Sequence, residues 1–153
     1  MPEARHGSSE TAATITKYVK GEIAATYLEL GKASAIRSAP VLRDFLASLV
    51  KEIFPNPMVT VTGSHNVDVT LNRKAGALIV NLVNTAGPHD SEKSLAFDEI
   101  PPVGPLEITL RLSEKPKKVI LQPSNSPLSY SYRDGKVRCS LPLLKIHEMV
   151  VIE

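Results

Sequence analysis

The sequence predicts a mainly β protein: an antiparallel β-sandwich preceded by an incomplete α/β unit of one strand and one amphipathic helix. Two observations carry this. Apolar residues recur every second position in a series of short runs after residue 57, and turn residues separate those runs with no helical period between them. Before residue 55 the period is helical instead. The boundary falls at Phe54-Pro55-Asn56-Pro57, which divides the chain into residues 1–56, read as the end of an α/β domain with a polar N-terminal tail, and residues 57–153, the sandwich.

Gly21 opens a short apolar-rich run through Ile23, Ala24, Ala25 and Leu28 that reads as a strand ending in a turn near Gly31. Val41, Leu42, Phe45, Leu46, Leu49, Val50, Ile53 and Phe54 then fall on one face of a helix. Ser38 is a suitable N-cap, Pro40 fits the first turn and Pro55 ends the helix. One strand and one helix cannot make an α/β core, which needs several such units layered on a sheet. Residues 1–56 therefore read as part of a larger domain.

After the boundary, Val59 and Val61 alternate with threonines; Val67, Val69 and Leu71 with Asp68, Thr70 and Asn72; Ile108, Leu110 and Leu112 with Glu107, Thr109 and Arg111. Residues 77–84 are apolar on both faces, as in a central strand, and residues 72–76 supply the turn before them. Tyr130 and Tyr132 lead through Asp134-Gly135 to Val137, Cys139 and Leu141, the strongest hairpin signal present. A last strand covers about residues 146–152, giving seven or eight strands, and Ile100 to Pro105 forms a stiff Pro-rich connection.

Composition narrows the function classes. With 42% hydrophobic and 22% charged residues the chain is an ordinary folding sequence. A net charge of +2, with both signs mixed along the chain, argues against nucleic acid as a partner. The densest cationic cluster, Lys115, Lys117 and Lys118 around Pro116, reads as a solvated turn between strands. No run has membrane-spanning length and the first ten residues lack a signal-peptide core, so the expectation is a soluble chain, cytoplasmic rather than secreted, with no membrane partner. The single cysteine, Cys139, alternates with core positions and reads as packing rather than as a nucleophile.

No catalytic motif, cofactor-binding loop or metal-ligand spacing is present, so catalytic residues, cofactors and metals are all expected to be absent. Two loops, Ser64-His65-Asn66-Val67-Asp68 and Gly87-Pro88-His89-Asp90, would form a surface binding site if His65, Asp68 and His89 converged; local backbone hydrogen bonding is the favoured reading of these histidines. His147-Glu148 lies on a strand, where neighbours face opposite ways, and is not a dyad. Tyr130 and Tyr132 share a strand face and form a candidate sugar-stacking platform, with core packing the favoured alternative.

Several stretches resemble the C-terminal region of bacterial glycoside hydrolases related to β-galactosidases. They are residues 40–46 and 49–55, then Val61-Thr62-Gly63-Ser64-His65-Asn66-Val67-Asp68-Val69, then Asn81-Leu82-Val83-Asn84-Thr85-Ala86-Gly87-Pro88-His89, residues 98–105, and the strand from Ile146 to Glu153. In that family a catalytic TIM barrel is followed by a trimerisation-type, amidotransferase-like α/β domain and a closing β-sandwich. The resemblance spans about residues 20–153 and implies a non-catalytic accessory region whose partners are the parent's catalytic barrel, a homo-oligomeric copy or a carbohydrate. The family's two catalytic carboxylates belong to the barrel, which this sequence does not contain, so no catalytic residue carries over. A stand-alone carbohydrate- or protein-binding module is the alternative, and a small independent enzyme a third, requiring His65, Asp68 and His89 to meet.

Overall fold

The structure, a computed structural model, describes residues 11–32, 40–87 and 99–153. The chain divides into two compact units, Met1–Asn56 and Pro57–Glu153.

In the first unit, β1 (Ala13–Tyr18) and β2 (Gly21–Thr26) form an antiparallel hairpin in which Tyr18 opposes Gly21 and Ala13 opposes Thr26. The sequence reading had one strand here. Strand β1 escapes it because Ala-Thr-Ile-Thr-Lys-Tyr offers a single aliphatic residue beyond its alanine, Ile15, too little for an alternation signal. The turn holds Val19 at φ 52, an unusual conformation for a β-branched residue. Helix α1 (Pro40–Ile53) lies where the periodicity puts it, with Lys51 in its last turn favouring the negative end of the helix dipole. Its Phe54 N–H continues the ladder to the Val50 carbonyl at 2.8 Å before Pro55 stops it. None of its residues is fully buried: Leu42, Phe45 and Leu49 are half-buried, while Leu46, Val50 and Phe54 run down an open flank.

The second unit is the expected antiparallel sandwich. One sheet has four strands in the order β3 (Val59–Thr62), β6 (Leu106–Arg111), β10 (Lys136–Leu141) and β9 (Tyr130–Arg133). The other has five, in the order β4 (Val67–Lys74), β5 (Ala77–Asn84), β11 (His147–Ile152), β7 (Val119–Gln122) and the two-residue β8 (Ser126–Pro127). Alternation decides what is buried. Leu78, Val80 and Leu82 of β5 and Val150 and Ile152 of β11 face Leu106, Ile108, Leu110, Val137 and Leu141 of the other sheet. Each such side chain contributes roughly 1.5–3 kcal/mol through removal from water.

Both two-residue hairpin turns in this unit have positive φ at both central residues, as a type I′ turn requires. They are Asp134 (φ 53) with Gly135 (φ 70), as expected, and Ala75 (φ 49) with Gly76 (φ 84). The Pro-rich connection is fastened by reciprocal backbone hydrogen bonds: Val103 N–H to the Leu144 carbonyl at 3.0 Å and Leu144 N–H to the Val103 carbonyl at 2.8 Å. Among the described residues, no helix is long and apolar enough to cross a membrane.

Candidate functional site

The residues singled out by sequence fall into three places. His65 is exposed in the loop between β3 and β4, where the neighbouring Asn66 N–H donates to Ser64 Oγ at 3.1 Å. Asp68 is exposed on the outer face of β4, opposite Val83 of β5, and Val83 in turn opposes His147 of β11. Asp68, Val83 and His147 thus form one row, with the carboxylate and imidazole two strands apart, about 10 Å at the ordinary strand spacing. That is beyond hydrogen-bond reach. His89 lies outside the described residues. Among those described, no group of three or more His, Cys, Asp or Glu side chains is placed to hold a metal ion.

Tyr130 and Tyr132 do share a face of β9, and it is the face turned to the core, where both are half-buried against the apolar cluster. Their hydroxyls reach past it. Tyr130 Oη donates to the Pro116 carbonyl at 2.7 Å, and Tyr132 Oη to the Ser113 and Leu112 carbonyls at 3.2 and 3.3 Å. The two rings therefore fasten the 112–118 loop to the sandwich. The same loop is held from its other side: Lys118 N–H donates to the Glu153 carbonyl at 3.0 Å, Glu153 N–H to the Lys118 carbonyl at 3.1 Å, and Lys118 Nζ meets Glu153 Oε2 at 2.8 Å. Around this anchored loop is an open cleft of about 330 Å³, lined in part by Arg73, Leu112, Lys115, Lys117 and Ile152.

His147 and Glu148 face opposite sides of β11, as neighbours on a strand must. Glu148 shares the inward side with Leu82, and its Oε2 is buried with no hydrogen-bond partner among the described residues. Cys139 is 4% exposed on the core side of β10. Burial, and secondarily the charge of Glu107, push its thiol from an ordinary 9.0 up to about 11. A thiol so placed stays protonated near neutrality and is a poor nucleophile.

The Cys139 shift has a stability consequence. Folding favours the neutral thiol, so this stabilisation is complete below pH 9 and is lost as pH rises from 9 toward 11, amounting to roughly 2–3 kcal/mol. Urea unfolding of the wild type and Cys139→Ala at pH 8 and pH 11 should show the wild type losing that much more stability than the variant. Equal losses in both proteins would remove the thiol as the cause.

The outer face of the four-stranded sheet carries a second, shallow depression of about 320 Å³, lined by Glu107, Ser129, Ser131, Arg138 and Ser140 together with parts of Tyr130 and Cys139. Sequence reading missed it, because it is assembled across β6, β10 and β9 and depends on their register.

No protein-family model matches the chain, and no curated protein matches it in sequence. Among solved structures it is similar to alpha-L-fucosidase isoenzyme 2 from Paenibacillus thiaminolyticus, with 20% identity and a TM-score of 0.72 over 91% of this chain and 21% of that one. A cycloisomaltooligosaccharide glucanotransferase from Paenibacillus sp. matches at 18% identity with a TM-score of 0.43, over 72% of this chain and 20% of that one. This chain thus spans about a fifth of the length of either enzyme, and the likeness to the fucosidase is one of fold.

Proposed function

We propose that the chain is a non-catalytic, C-terminal accessory region of a glycoside-hydrolase-like protein related to β-galactosidases. Its sandwich would support domain packing or oligomerisation around a catalytic barrel, and residues 1–56 would close an amidotransferase-like, trimerisation-type α/β domain.

The observation that carries this reading is the uncovered apolar surface of the first unit. Val41 is 69% exposed and Phe54 59%, and Leu46, Val50, Ile15, Ile23, Tyr27 and Leu28 are all exposed as well. Isolated apolar residues on a surface need no explanation, but a flank at helical spacing beside an apolar hairpin does. Such a surface suits packing against further protein. The fold likeness to part of a much longer fucosidase supports the same reading.

Sedimentation velocity on the 153-residue chain, with hydrogen exchange read over α1, tests it. The expected result is self-association at micromolar concentration with α1 amides protected, and a shift to monomer in Leu46→Glu/Val50→Glu without change in the melting of the sandwich. A monomer whose α1 amides exchange as freely as those of an isolated helix would overturn the proposal.

A further inference from the structure

Along the chain the basic and acidic residues are mixed, 18 against 16, but the fold sorts them. On β6, β10 and β9 one side of each alternation is turned inward, Leu106, Ile108 and Leu110, then Val137, Cys139 and Leu141, then Tyr130 and Tyr132, and the other side faces out. Lys136 directly opposes Arg111 on one side and Arg133 on the other. Three cations therefore stand in one row across three neighbouring strands, roughly 10 Å end to end at the usual strand spacing. Arg138 lies two residues further along the same face, beside Thr109 and Ser131. All four are exposed. The outward positions of β3, β6, β10 and β9 hold one carboxylate, Glu107; Asp134, in the turn at the end of the row, sits 3.5 Å from Arg133 with both side chains more than 80% exposed.

Like charges directly opposite one another destabilise a sheet. Charged residues also blunt edge strands against aggregation, which accounts for Arg133 on β9 but not for Lys136, whose strand is interior to the sheet. A flat concentration of positive potential next to a hydroxyl-lined depression fits an anionic ligand with many hydroxyls. Arginine adds a planar fork matched to carboxylate and similar oxyanions. Sequence-tolerant binding of single-stranded nucleic acid relies on exposed aromatic platforms, and the outward positions of this sheet carry none; the tyrosine rings of β9 face the core.

We propose that the outer face of the four-stranded sheet, centred on Lys136, Arg133 and Arg138, binds an anionic polysaccharide through its sulfate or uronate groups, with Ser131 and Ser140 meeting sugar hydroxyls. This stands apart from the accessory-domain reading, since it rests on another surface and survives if α1 turns out to have no partner.

The test is binding of the full chain to heparin, to polygalacturonate and to neutral dextran across a salt series. Expected is binding to heparin or polygalacturonate that weakens steeply with salt, and none to dextran; whichever polyanion binds tighter identifies the group recognised. Lys136→Glu/Arg138→Glu should lose about tenfold or more in affinity while keeping its melting temperature. Lys115→Glu/Lys117→Glu, with the same change in net charge on another loop, should lose little. Equal losses in the two variants, absence of binding to either acidic polysaccharide, or tighter binding to an oligo-dT strand of matched length would each overturn the proposal.

Discussion

Gly63→Ala is expected to destabilise the sandwich by roughly 3–5 kcal/mol, the sum of backbone strain and overpacking. Gly63 sits at φ +109 in the bend between β3 and β4, and a β-carbon there would overlap the Pro105 carbonyl oxygen and crowd the Leu106 Cα. The atoms in the way are backbone, and Leu106 is fully buried at the start of β6, so they have little freedom to yield. Gly76→Ala is the matched control: its φ of +84 is equally unsuited to alanine, but nothing lies within 4 Å of the added carbon. It should cost about 1–2 kcal/mol, the left-handed penalty alone. Urea denaturation followed by circular dichroism separates the two. If Gly63→Ala unfolds within 1 kcal/mol of Gly76→Ala, on the scale set by that penalty, the close approach to Pro105 is not a constraint on the fold.

Most of the sandwich was legible because its strands alternate cleanly. Val67, Val69 and Leu71 on β4 and Val137, Cys139 and Leu141 on β10 announce one buried face each, and Asp134-Gly135 fixes the turn between β9 and β10. Strand β1 was not legible, since Ile15 stands almost alone among threonines. The cationic row was half legible: a two-residue turn at 134–135 necessarily sets Arg133 opposite Lys136, whereas the place of Arg111 depends on how β6 registers against β10. Long-range register is set by the packing of two inner faces together, which no local window of sequence contains. The same reason hid the role of Tyr130 and Tyr132. Their shared face, and packing as the favoured use of it, are readable from the sequence; the carbonyls that their hydroxyls find are not.

Asn84 is the other residue whose role only the assembled fold reveals, and its replacement should be the second most damaging. It is 6% exposed at the end of β5, on the inward side continued from Leu78, Val80 and Leu82, where an aliphatic residue would be the default. Its carboxamide fastens three segments instead. Nδ2 donates to the carbonyls of Pro101 at 2.9 Å and Lys145 at 2.7 Å, with Leu144 at 3.4 Å, and Oδ1 accepts from the Ala86 N–H at 2.8 Å. The surrounding carbonyls fix the amide's orientation, because turning it over would set oxygen against oxygen. Asn84→Ala removes partners from at least three backbone groups, and at about 1 kcal/mol each the loss is roughly 2–4 kcal/mol. Hydrogen exchange should quicken first at the amides of Val103 and Leu144, which bridge the two segments that Asn84 ties together. Asn84→Asp sharpens the test. Near neutrality it would point a carboxylate at those carbonyls, so it should be less stable than Asn84→Ala at pH 7 and recover relative to it near pH 4, where the protonated acid can donate once more. A pH-independent difference between the two variants would mean that the loops are held by their own backbone pairing and that Asn84 merely fills space.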